Sequence, residues 1–123
     1  MRWLDRRIAK PGPYLTLCLA EPELRAVERR LKVPTRIDWP SRGATCSTLV
    51  TPDGKLTCIV SLTDWQGRNP IEVAGLLVHE AVHVWQQYAD DIGEEQPGAE
   101  QEAYAIQAIA QELMAEFARR MTE

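Results

Sequence analysis

The stretch 69–88, NPIEVAGLLVHEAVHVWQQY, constrains the fold more than any other part of the chain. It opens with helix punctuation. Asn69 serves as N-cap, Pro70 takes the first helical position, and Glu72 stands three residues after the cap, as in a capping box. Its apolar residues then fall on several sides. Ile71, Val78, Val82 and Trp85 share one stripe with Gly75, while Val73, Leu76, Leu77 and Val84 cover much of the rest. A helix apolar nearly all round is a central, buried element, so the remaining elements are expected to pack around it. Glycine inside a helix costs about 1 kcal/mol relative to alanine, and close approach of a neighbour is the expected reason for Gly75.

The other elements read as a small α+β set. The run 14–20, YLTLCLA, follows the turn signal KPGP (10–13) and predicts a short buried strand. The run 21–33 predicts a helix with Pro22 in its first turn, Leu24, Val27 and Leu31 on one face, and Pro34 as its stop. A connector (34–43) leads to a hairpin. Its strands, 44–50 and 55–62, are rich in Thr, Val and Ile, and TPDG (51–54) supplies the turn. A loop (63–70) precedes the central helix, and ADDIGEEQPG (89–98) breaks it. A last helix from about 99 to about 120 carries Ile106, Ile109, Ala110, Leu113, Met114 and Phe117 on one face.

At 123 residues the chain suits one domain, residues 1–123, large enough to bury a core without disulfides or a structural metal. A net charge of −4 and a pI near 5.2 argue against a nucleic-acid binder held by a general basic field. The arginines Arg2, Arg6, Arg7, Arg25, Arg29 and Arg30 read as a solvated face, with a local basic patch as the other option. Cys18, Cys46 and Cys58 are odd in number and lack CxxC spacing, which predicts small buried thiols in a reducing compartment. MRWLDRRIAKPG has no apolar core of a signal peptide, and no run approaches a membrane span. The expectation is a cytoplasmic protein without a membrane or nucleic-acid partner.

Both histidines of the chain lie in HEAVH, residues 79–83. Residues four apart on a helix stack one turn apart, so His79 and His83 can turn their imidazoles to one atom. Two nitrogens so placed suit Zn²⁺, with Glu80 beside the metal but not bound to it. On a buried helix, an ion would also supply the partner that both histidines need. A catalytic zinc takes three protein ligands, and no third histidine exists, so the third is a carboxylate or a cysteine.

HEAVH followed by EQEA (100–103) at a helix start resembles the gluzincin branch of the zincin metallopeptidases, which includes thermolysin-like enzymes and zinc aminopeptidases. The likeness spans roughly residues 69–121. That branch pairs HExxH with a glutamate on a later helix, often three residues before a small residue, as Glu100 stands before Ala103. HEAVHVW also resembles the HExxHxW of the aminopeptidases, with Trp85 in the matching place. The metzincin pattern HExxHxxGxxH is absent, since Gln86 and Ala89 occupy its last glycine and histidine. A weaker likeness is to short bacteriophage and prophage proteins in which HEAVHVWQ is followed by EAY.

The resemblance implies a zincin-like α+β core, in which a small antiparallel-containing sheet packs on an active-site helix and a C-terminal glutamate-bearing helix. It implies metal ligands His79, His83 and Glu100, a general base at Glu80, and a peptide or protein substrate hydrolysed through a zinc-activated water. Periodicity favours Glu102 instead, because Glu102 falls inside the apolar arc of the last helix and Glu100 outside it. Glu102 is thus the alternative ligand, or an acceptor for a histidine N–H. Where the family often carries Asp or Asn, four after the glutamate, stands Tyr104, which either turns its hydroxyl to the site or packs in the core. Family members add a histidine or tyrosine near the oxyanion; here Tyr14, Tyr88, Tyr104 or an arginine must serve. An edge strand of the 44–62 hairpin offers backbone groups for an extended peptide. The competing reading is a non-catalytic zincin-like module that binds metal or a partner, in a phage setting or another.

Overall fold

The computed structural model describes residues 14–94 and 98–122. The turn at 10–13, Arg2, Arg6, Arg7 and part of the acidic loop (residues 95–97) lie outside the described residues. Six elements follow in chain order. They are β1 (Tyr14–Cys18), α1 (Glu21–Leu31), β2 (Ala44–Val50), β3 (Leu56–Leu62), α2 (Pro70–Asp91) and α3 (Ala99–Met121). The fold is α+β, with a mixed three-stranded sheet of order β1-β3-β2. β1 runs parallel to β3, with Leu15 opposite Cys58, and β2 runs antiparallel to it, with Cys46 opposite Val60.

β3 organises the core because every one of its residues is buried. Alternation sends its side chains to two layers. Leu56, Cys58, Val60 and Leu62 join Leu15 and Leu17 of β1 in packing against α2 and α3. Ile59, with Cys18 of β1, meets Leu24 and Val27 of α1. A central strand covered on both faces reads as a continuous apolar run, as LTCIV does. The hairpin turn needs Gly54 for its φ of +81°, which an L side chain adopts only with strain. Gly54 N–H donates to Thr51 O at 2.8 Å, and Thr51 N–H to Lys55 O at 3.0 Å.

α1 is clamped to the connector that follows it. Glu28 accepts from Arg25 Nη1 at 2.8 and 2.9 Å and from the Ile37 N–H at 2.6 Å. Arg25 Nη1 also donates to Ile37 O at 2.7 Å, and its Nε and Nη2 reach Glu21. Burial alone would raise the Glu28 pKa, but the Ile37 N–H and the Arg25 guanidinium outweigh it and hold the pKa below the ordinary carboxylate value. The helix ends at Leu31 with Lys32 in the left-handed region, before Pro34 is reached. Arg25 is thus a structural ion-pair residue, while Arg29 and Arg30 are exposed, as a solvated face requires.

α2 begins as the sequence indicates. Asn69 Oδ1 accepts from the Ile71 N–H at 2.8 Å, and Pro70 sits in the first turn. Glu72 forms no visible half of a capping box; its carboxylate lies 3.7 Å from Arg68 instead. The helix runs three residues beyond Tyr88, to Asp91. Its buried face is a correction to the sequence reading. Val73, Leu77, Ala81, Val84 and Tyr88, spaced four, four, three and four, press on the sheet and on α3. The stripe of Ile71, Gly75 and Val78 faces outward, with Ile71 80% exposed. A Cβ placed on Gly75 would meet nothing within 4 Å, so close packing is not its reason. Sheet and α3 together cover one side of α2, and no described element covers the other.

α3 matches its periodicity. Ile109, Ala110 and Leu113 are buried, and Ile106, Met114 and Phe117 flank them. Trp65, in the loop before α2, ties the β1–α1 junction to α3, donating from Nε1 to Leu19 O at 2.9 Å while its ring meets Phe117 edge-on at 5.8 Å. Arg120 pairs with Glu23 at 2.5 Å, joining α3 to α1. No helix among the described residues is long and apolar enough to cross a membrane.

Two outcomes test this description. Asn69→Ala removes the side-chain cap of α2 and should lower stability by about 1 kcal/mol in urea denaturation. Glu28→Gln should lower stability at neutral pH by about 1–2 kcal/mol, as expected for a partly buried charged hydrogen bond. Because the folded Glu28 pKa lies below the unfolded one, its contribution is present above the ordinary carboxylate pKa and is lost as pH falls through the folded value. The difference between Glu28→Gln and wild type should therefore shrink in acid, read from denaturation midpoints across that range.

Candidate metal centre

α2 brings together three of the residues singled out in the sequence. His79 and His83 are both exposed, on the side of α2 turned away from its buried stripe. This corrects the expectation that they are buried with the helix. Their Nε2 atoms lie 3.2 Å apart, with ring centroids at 4.9 Å and planes at 74°. Two nitrogens bound tetrahedrally at 2.0–2.1 Å from zinc stand about 3.3 Å from each other. The pair is therefore spaced as such a donor set requires.

Glu80 is the buried member, 4% exposed. Its Oε2 atom is fully covered and has no hydrogen-bond partner among the described residues. Burial raises its pKa above the ordinary carboxylate value, and the electrostatic effect of His79 and His83 offsets that only in part. Beneath α2 lie the thiols of β2 and β3. The Cys46 pKa is raised, first by its hydrogen bond to Cys58, then by burial, with a smaller push from the Glu80 charge. Cys58 accepts that bond and its pKa is lowered, while burial pushes Cys18 up to about 12. All three cysteines are free, two of them buried as expected and Cys46 half-buried.

The acidic arm from α3 is placed differently. Glu102 is half-buried and accepts from Trp85 Nε1 at 2.8 Å, so its partner is an indole and not a histidine. Glu100 is exposed in the first turn of α3. Among the described residues, no group of three or more His, Cys, Asp or Glu side chains is placed to hold a metal ion. The donor chemistry of the imidazole pair and the unpartnered Glu80 oxygen fit a zinc site, and the third arm is not assembled beside them.

The candidate oxyanion donors are also dispersed. Tyr88 is buried on the other face of α2, against Trp85, and burial raises its pKa. Tyr104 is 67% exposed, so it is no core residue. Tyr14, on the opposite edge of the sheet from β2, lies under Lys55 Nζ at 5.1 Å. Gln86, at the position where the metzincin pattern has glycine, touches the site. Gln86 Oε1 lies 2.9 Å from His83 Nδ1, and its position three after His83 on a helix was the available signal. No family model, curated protein or solved structure matches the chain.

The unpartnered carboxylate gives a direct test. Glu80→Gln replaces a charge that burial disfavours with a neutral group of the same shape. In metal-free protein at neutral pH it should raise stability by about 1–2 kcal/mol, read as an increase in Tm of several degrees. A decrease would mean that Glu80 has a compensating partner.

Proposed function

We propose that the chain is a zinc-dependent peptidase of gluzincin type, and the observation that carries this is the 3.2 Å approach of His79 Nε2 and His83 Nε2 beside a buried, unpartnered Glu80. His79 and His83 hold the ion, and Glu100 is the proposed third ligand. The resemblance of HEAVH and EQEA to the family pattern supports that choice; the hydrogen bond from Trp85 engages Glu102 elsewhere. When bound, zinc supplies positive charge that acidifies a water and polarises a carbonyl.

The chain's own residues do the rest. Glu80, whose pKa burial raises above the ordinary carboxylate value, is a stronger base than an ordinary carboxylate. It takes the proton of the attacking water and delivers it to the leaving amine. β2 is an edge strand, paired among the described residues with β3 alone, and it packs under α2. Its outer backbone groups suit an extended peptide.

A second reading has its own support. With no third ligand or oxyanion donor gathered at the histidines among the described residues, the chain suits a metal-binding or interaction module that performs no hydrolysis. Two measurements separate the readings. Protein purified without added metal should contain near-stoichiometric zinc by elemental analysis, and His83→Ala should lose it. In a peptide-library digest, Glu80→Gln should keep the zinc and lose at least about 100-fold in rate. Zinc without any Glu80-dependent cleavage would assign the chain to the second reading, and no zinc would exclude both metal-based forms.

A further inference from the structure

We propose that Gln86 is the positioning residue of the imidazole pair: its side-chain oxygen holds His83 as the Nδ1–H tautomer, so that His83 Nε2 presents its lone pair where the two rings meet. The argument rests on which atoms can carry hydrogen. Gln86 Oε1 stands 2.9 Å from His83 Nδ1. An amide oxygen has no proton to give, so the ring nitrogen donates. A neutral imidazole carries one N–H, so His83 Nε2 is left as an acceptor. His79 Nε2 is 3.2 Å from it. Two lone pairs facing each other at that distance repel, so His79 donates from Nε2.

The three side chains thus form a hydrogen-bonded chain of one sense, from His79 through His83 to Gln86. Positions 79, 83 and 86 are four and three residues apart, which stacks them on one helix face. The two histidines then differ in readiness for a metal ion. His83 already offers Nε2, whereas His79 must first move its proton to Nδ1. Ring nitrogens that bind metals are ordinarily fixed by a partner at the other nitrogen, and that partner adds basicity to the ligand. Tyr104 stands where the family pattern carries such a partner and is 67% exposed; Gln86, one turn along α2, takes the role. The tautomer assignment stands on the hydrogen-bond geometry alone, and only its effect on metal affinity rests on the zinc reading above.

The test uses the full chain. Long-range ¹H–¹⁵N correlation spectra of metal-free, ¹⁵N-labelled protein, recorded well above the ordinary imidazole pKa, distinguish the two tautomers of each ring. His83 should appear as Nδ1–H and His79 as Nε2–H. In Gln86→Met, His83 should shift to a majority of Nε2–H, the form favoured by free imidazole side chains. Zinc affinity, measured by competition with a chromophoric chelator, should fall about 10–100-fold in Gln86→Met and hold or rise in Gln86→Glu. His83 found as Nε2–H in the wild type would mean that the amide presents its NH₂ to the ring, and would overturn the proposal. Equal zinc affinity of Gln86→Met and wild type would overturn it as well. A wild-type chain that binds no zinc but shows His83 as Nδ1–H would sink the metal reading and support Gln86 as the residue that sets the tautomer.

Discussion

The structure depends on one packing contact, the seam of α2 on β3 and α3. Val73, Leu77, Ala81, Val84 and Tyr88 enter that seam from α2, and Cys58, Val60, Ile109 and Leu113 meet them from the other elements. Among the described residues, a helix seated this way has one covered side and one open side. The covered side fixes the rotation of α2 about its axis, and that rotation decides everything at the candidate site. It leaves His79 and His83 at the surface and turns Glu80, between them in sequence, inward. A rotation by one residue, about 100°, would turn Glu80 and both histidines to the same side, all inward or all outward.

The placement of Glu80 follows from the same geometry. It lies at the border of the seam, close enough to the sheet to lose its water and too far round to join the apolar cluster. Covering a carboxylate without a hydrogen bond is unfavourable. The hydrophobic contacts around it hold α2 in place despite that penalty. Its raised pKa is a direct result of burial, since the two imidazoles next to it act in the opposite direction.

Much of this was readable in the sequence, and the misreadings have a common origin. Short-range signals were reliable: Asn69–Pro70 at the start of α2, TPDG in the hairpin and the apolar arc of α3 all appear at or near the expected residues. The pairing of His79 with His83 also follows from spacing alone. What spacing does not fix is which side of an almost wholly apolar helix is covered. Ile71 and Val78 are as hydrophobic as Val73 and Leu77, and only the number of neighbouring layers separates them. The three strands and three helices of the described residues leave one side of α2 uncovered among themselves, and periodicity carries no count of layers. Glu102 shows the same limit on α3. Its position in the apolar arc correctly placed it facing inward, but the sequence did not show that Trp85 would be its partner.

That Trp85–Glu102 hydrogen bond gives the molecule an optical readout of its own state. The indole stands two residues after His83 in α2, covered by protein and bonded to a carboxylate of the neighbouring helix. Its emission wavelength is governed by that local charge and by the exclusion of solvent. Any event that shifts the start of α3 relative to α2 changes both, so such a movement alters the Trp85 contribution to the emission of the chain's four tryptophans, with no dye attached.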